Sequence, residues 1–163
     1  MTMKKFRKLF LILQAPYFRK ILLTTGVAAV VDHNALLENL GLSLTTIVDV
    51  GANKGQFALA ARHFSPKAMI YSFEPVFDAV KIYKKIFSKD SMTELHPFAL
   101  GLAETKTTLY ESRADDSSSL LPISDLQNKI YKGTEEVGKH DVDVKTLDSV
   151  LDNQDILSPA MLK

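Results

Sequence analysis

The sequence predicts an α/β fold, a Rossmann-like, doubly wound parallel sheet behind an N-terminal helical segment. Three observations predict it. Thr46-Ile47-Val48-Asp49-Val50 is β-branched except for Asp49 and reads as a short buried strand. Gly51 and Gly55 follow, and Phe57, Leu59, Ala60, Ala61 and Phe64 then recur at helical spacing, the strand–turn–helix that opens a βαβ nucleotide-binding unit. A second strand over 68–73 ends in Glu74-Pro75, which puts an acidic residue at a strand's carboxyl end about 20 residues past the glycine turn.

Composition narrows the function. With 163 residues, 46% of them hydrophobic, the chain can bury a real core as one globular domain. A formal charge of +1 gives no overall pull toward nucleic acid. There is no cysteine, which excludes disulfides, thiolate nucleophiles and thiolate metal sites. His33, His63, His96 and His140 lack metal-ligand spacing, so no metal site is expected. The short run Leu9-Phe10-Leu11-Ile12-Leu13 follows Lys4, Lys5, Arg7 and Lys8, but no small-residue cleavage site follows it, and no run is long enough to span a bilayer. A cytoplasmic chain is the expectation.

Taken in order, residues 1–44 form a helical segment and residues 45–163 a sheet-based domain. Pro16 interrupts the first helical stretch, and a second helix is expected from about Gly26 to Asn39, ending near Gly41. The basic N-terminal helix packs on the domain with its lysines in water, or rests weakly on an anionic membrane surface. After the central helix, Ser65-Pro66 marks a turn. Pro75 suits the first turn of a helix over 76–87, whose apolar face carries Val80, Tyr83 and Phe87, with Lys81, Lys84, Lys85 and Lys89 in water. A third strand is expected over 94–100, where Pro97 makes it irregular and His96 is structural. Residues 106–111 alternate as a strand, Asp115-Asp116-Ser117-Ser118-Ser119-Leu120 is a polar loop, and 123–138 has a mixed pattern. Residues 140–145 alternate again, and Thr146 is a plausible N-cap for 147–151. The strands at 46–50, 68–73 and 94–100 are expected to be parallel with the first in the middle, and the helices at 54–64 and 76–87 to lie on opposite faces.

The chemistry collects around the glycine turn. Gly51 is expected where a Cβ would clash, and Gly55 where a helix or a ligand nears the backbone. Free N–H groups near Asn53 to Gly55 could hold a polar or anionic group. Asp49 is costly to bury without a partner. Glu74 can accept hydrogen bonds from both ribose hydroxyls. Each feature also has a structural reading: an ordinary strand–helix turn, and a glutamate facing a helix dipole.

The order of five motifs resembles the FkbM family of S-adenosylmethionine-dependent methyltransferases. They are Asp49–Phe57, Phe73-Glu74-Pro75, Ala99-Leu100-Gly101, the Ser117–Leu120 loop and Val144-Lys145-Thr146-Leu147-Asp148. The resemblance runs from about Gly26 onward. It implies a class I methyltransferase sheet of seven strands and O-methylation of sugar or polyketide-type hydroxyls, so the partner would be a small-molecule or glycan hydroxyl and not a nucleic acid. Carried over by position, the cofactor-binding set is Asp49, Gly51, Ala52, Asn53, Gly55, Phe57, Glu74 and Pro75, with Gly51, Asn53 and Gly55 at the methionine end and Glu74 on the ribose. No catalytic base is assigned. S-adenosylmethionine fits better than a dinucleotide, because Asn53 stands where the second glycine of a pyrophosphate loop belongs; an NAD-type oxidoreductase is the lesser alternative. The family continues with a strand beginning Leu-Lys-Ile-Asp-Val-Gln-Gly, whose opening Met161-Leu162-Lys163 matches. The expectation is an incomplete sheet: the N-terminal portion of a methyltransferase, with the first strand's edge exposed, inactive alone, or a cofactor-binding module completed by a C-terminal partner chain.

Overall fold

In a computed structural model, the backbone is described for residues 3–40, 43–114 and 117–163. Gly41 and the Asp115-Asp116 pair lie outside the described residues, as do the side chains of Lys4, Lys5, Arg7 and Lys8. The chain divides into two units: residues up to Pro97 with Leu151–Lys163, and Phe98–Val150.

The first unit opens with α1 (Met3–Gln14) and α2 (Pro16–Thr25). Proline at the first helical position costs no hydrogen bond, so Pro16 both ends one helix and starts the next. Gly26, expected to begin a helix, instead ends α2: it adopts φ +73°, and its amide donates to Leu22 O at 2.9 Å. The following helix, α3, is shorter than expected, Asn34–Leu40.

The sheet of this unit is built from β1 (Thr46–Val50), β2 (Met69–Phe73) and β3 (Thr93–His96), with β7 (Ala160–Leu162) returning from the end of the chain. All pairs are parallel, in the order β3-β2-β1-β7. The strands are parallel as expected, but the first is not the middle one of the expected three: β2 lies between β1 and β3, because the chain steps the same way along the sheet at both crossovers. The edge of β1 is not exposed as expected: β7 covers it, with Val48 opposite Leu162, and backbone bonds run on from Val50 N to Lys163 O (3.0 Å) and from Lys163 N to Val48 O (2.9 Å). The expected third strand is cut at Pro97, which has no N–H for the ladder. Residues 93–96 join this sheet, whereas Ala99–Leu100 belongs to the other unit.

Helices α4 (Gln56–Phe64) and α5 (Phe77–Ile86) connect the strands. They share one face rather than lying on opposite faces. Phe57 to Ala61 of α4 and Tyr83 of α5, with Phe87 just beyond it, fall in one buried cluster with Ile47 and Ile70. The reason is handedness: two successive right-handed crossovers that step the same way along a sheet leave both helices on the same side. Arg62, in the last turn of α4, reaches the opposite end of the sheet from the glycine turn. It donates to Ser65 O, Pro66 O, Ala68 O and Met92 O and pairs with Asp90 through Nε at 2.7 Å.

The second unit is a three-stranded sheet in the order β4-β6-β5. Here β4 is Ala99–Leu100, β5 is Thr105–Ser112 and β6 is Glu136–Lys145; β5 and β6 are antiparallel, β4 and β6 parallel. Between them α6 (Asp125–Ile130) is capped by Ser124, whose hydroxyl accepts from Gln127 N. Thr146 caps only a short 3-10 turn, Leu147–Ser149. In the serine loop, Ser118 Oγ accepts from Ser112 N and Ser119 Oγ from Leu121 N, the side-chain-to-backbone bonding expected of that composition.

Candidate cofactor-binding site

Three strand ends meet at the carboxyl edge of the four-stranded sheet: β1 runs into Gly51–Gly55, β2 into Glu74, and β7 into Lys163. The strand order reverses at β1, and it is outside such a reversal that open α/β sheets hold ligands.

The turn is drawn tight by its own backbone. The amides of Gly51 and Ala52 both donate to Phe73 O, at 2.9 and 3.0 Å. Gly51, Asn53 and Gly55 all have positive φ, at +71°, +49° and +88°. The two glycines are needed for different reasons. A Cβ on Gly51 would meet nothing within 4 Å, so the expected clash is absent and the left-handed backbone alone calls for glycine. A Cβ on Gly55 would lie 2.7 Å from Phe87 Cε2 and 3.0 Å from Tyr83 Cδ2. Close approach at Gly55 is therefore used by the segment around α5, and the open space lies over Gly51.

Glu74 is 6% exposed and grips the backbone on both sides. Oε2 accepts from Asn53 N at 2.7 Å and Oε1 from Val76 N at 2.8 Å. Burial pushes its pKa up; the two amides pull the other way, and nearby Asp49 adds to the rise while Lys163 opposes it. Each carboxylate oxygen has a second lone pair, so the glutamate can still accept from a ligand hydroxyl. Pro75 is not in the first helical turn as expected but precedes Val76, the cap of α5. Of the amides expected to be open to an anion, that of Asn53 serves Glu74 and that of Gly55 donates to Ala52 O at 2.9 Å.

Asp49 is fully buried. Its partner is Lys163, whose Nζ lies 3.0 Å from Oδ1, 3.4 Å from Gly51 O and 5.4 Å from the centre of the Phe57 ring. Burial raises the Asp49 pKa and the lysine partly offsets the rise. Lys163 was not among the expected site residues. The signal for it is the parallel register: if Leu162 pairs with Val48, the next residue falls beside Asp49. Asp49, Gly51, Ala52, Asn53, Gly55, Phe57, Glu74 and Pro75 thus all lie in or beside this one turn. His96 ends β3 at the same edge, where its carbonyl accepts from Glu74 N at 3.1 Å and its ring stacks 4.7 Å from that of Phe73.

No curated protein matches the sequence. Among solved structures, a methyltransferase FkbM from Methylobacillus flagellatus KT aligns over 85% of this chain with a TM-score of 0.43 and 10% identity. This chain spans 38% of the length of that one. The profile of the methyltransferase FkbM domain matches residues 49–163, from the buried aspartate of β1 through Lys163. The chain belongs to the FkbM methyltransferase family.

Proposed function

We propose that this chain carries the cofactor side of an S-adenosylmethionine-dependent methyltransferase site. One observation carries the reading: at the reversal of the sheet, the left-handed Gly51, with nothing within 4 Å of where a Cβ would stand, lies in the same turn as two buried carboxylates, Asp49 paired with Lys163 and Glu74 with lone pairs to spare. Such acceptors fit a cofactor with a cationic amino-acid end and two ribose hydroxyls. Glu74, fixed by two backbone amides, would receive the ribose hydroxyls; Asp49 would face the ammonium or sulfonium, a position it shares with Lys163. With the amides of Asn53 and Gly55 already engaged, two of the donors that a pyrophosphate loop would use are taken, which favours a cofactor without phosphate over a nicotinamide dinucleotide. The bound cofactor supplies an electrophilic methyl group displaced in line from sulfur. The contribution of these residues is orientation, since most of the barrier in such a displacement is lowered by alignment. For the acceptor we propose a hydroxyl of a sugar or similar small molecule, on the family resemblance.

Calorimetric titration with S-adenosylmethionine tests the reading. Glu74→Gln, which keeps a single carbonyl acceptor and loses the charge, should weaken binding roughly tenfold or more, as expected for a lost charge-assisted bond. Gly51→Val should abolish it by filling the open space. Equal affinity of wild type and Glu74→Gln, or no binding by a folded wild-type chain, would overturn the assignment.

A further inference from the structure

The first 31 residues have a charge pattern unlike the rest of the chain. Six of the 20 basic residues (Lys4, Lys5, Arg7, Lys8, Arg19 and Lys20) and none of the 19 acidic ones precede Asp32, leaving the remainder acidic on balance. These residues form α1 and α2; among the described side chains, Ile12 of α1 and Phe18 of α2 are deeply buried. Several apolar side chains beside these anchors are exposed. Leu9, Phe10, Leu11 and Leu13 of α1 are exposed, Phe10 at 55%, and Leu23 of α2 stands out at 77%. One or two exposed leucines are ordinary on a protein surface, but a run of them within one basic helix pair is not.

We infer that the α1–α2 pair is a docking surface for an anionic lipid bilayer, with Phe10, Leu13 and Leu23 entering the acyl region and the net positive charge of this stretch drawing it to the headgroups. The charge distribution selects this occupant. An apolar patch meant for a second copy of the same face would bring twelve positive charges into one interface with no acidic residue from these helices to oppose them, a repulsion that interfaces avoid. A free polyanion would be met by the basic residues but gives no role to the exposed Phe10 and Leu23. An anionic bilayer answers both features, the basic one through surface potential and the apolar one through burial. Among the described residues, no helix is long and apolar enough to cross a membrane, so the contact is in the plane of the surface. Such docking would hold the chain against lipid without involving Gly51, Asp49 or Glu74, and it stands or falls independently of the cofactor reading.

The test is co-sedimentation of the full chain with phosphatidylcholine vesicles, with and without about 30 mol% phosphatidylserine, at low and high salt. The expected result is partitioning at least about tenfold stronger on the anionic vesicles and largely lost in about 0.5 M NaCl, where charge is screened. Lys4→Glu with Lys8→Glu should lower partitioning by about tenfold or more, each reversal weakening the pull of the surface. Phe10→Ser should weaken it by a comparable factor through lost burial; its fold is checked by circular dichroism, and the charge reversal carries the test if that variant does not fold. Lys84→Glu with Lys85→Glu, on exposed positions of α5, should leave partitioning unchanged. Equal binding to both vesicle types, no salt dependence, an equal loss from the α5 reversal, or a dimer in sedimentation that Phe10→Ser abolishes would each overturn the inference.

Discussion

Replacing Glu74 with alanine tests whether one carboxylate holds the turn as well as a ligand. The substitution removes both acceptors at once, leaving the amides of Asn53 and Val76 unpaired at a site where the glutamate is buried. Hydrogen bonds to a charged group contribute about 1.5–3 kcal/mol each, so the gross loss is about 3–6 kcal/mol. The cost of burying the carboxylate works against this. Its pKa is raised in spite of two donated N–H bonds, so burial outweighs them in the protonation balance. A net destabilisation of about 1–3 kcal/mol is therefore expected, with water reaching one of the two freed amides. At roughly 2–4 °C per kcal/mol for a chain of this size, Tm should fall by about 2–12 °C. Thermal unfolding gives the magnitude, and amide hydrogen exchange at Asn53 and Val76 localises it, since those two amides should lose protection before the sheet does. Glu74→Gln should fall between alanine and wild type, because its amide nitrogen cannot accept from the second N–H. A Tm within about 1 °C of wild type, with both amides still slow to exchange, would show that something other than Glu74 holds the turn.

Two further outcomes follow from the same site. Gly55→Ala meets a 2.7 Å contact with the Phe87 ring on top of a left-handed φ, whereas Gly51→Ala meets only the left-handed φ; urea unfolding should show a loss of about 2–4 kcal/mol for the first and about 1–2 kcal/mol for the second, and equal losses would contradict the packing described for Gly55. The pKa of Asp49 is raised on folding, so the neutral form is favoured in the folded state; its contribution to stability is complete below the ordinary carboxylate range and is lost as pH rises through the raised value. Asp49→Asn does not titrate, so its stability relative to wild type should improve as pH rises above the ordinary carboxylate range, and a flat or falling difference in paired denaturation curves would refute it.

Local chemistry was legible where it is set by neighbours in sequence. The β-branched run at 46–50, the glycine turn and the acidic end of the second strand could be read because each depends on the intrinsic preferences of adjacent residues. The break at Pro97 was visible as a missing donor, but not which sheet each half would join, because pairing partners are a tertiary choice. Gly26 was read as a helix start where it is a helix end; a glycine between two apolar helical stretches fits either until the left-handed cap is seen. The placement of α4 and α5 on one face follows from handedness once β2 lies between β1 and β3; the opposite faces expected belong to a sheet with the first strand in the middle. Lys163 was hidden for another reason: its link to Asp49 spans most of the chain and exists only once β7 is set beside β1. The amides around Asn53 looked available because a sequence displays donors, not the carboxylate that another strand delivers to them.

The guanidinium of Arg62 gives the four-stranded sheet a fixed end and a working end. By binding carbonyls of Ser65, Pro66, Ala68 and Met92, one planar group with five donors indexes where β2 and β3 each begin. A lysine could offer only a point charge there and could not set two loops at once. The entry of both strands is pegged at this end, while at the opposite rim three left-handed positions, Gly51, Asn53 and Gly55, alternate within five residues. One end of the sheet thus fixes where its strands start, and the other end carries the turn that a ligand would meet.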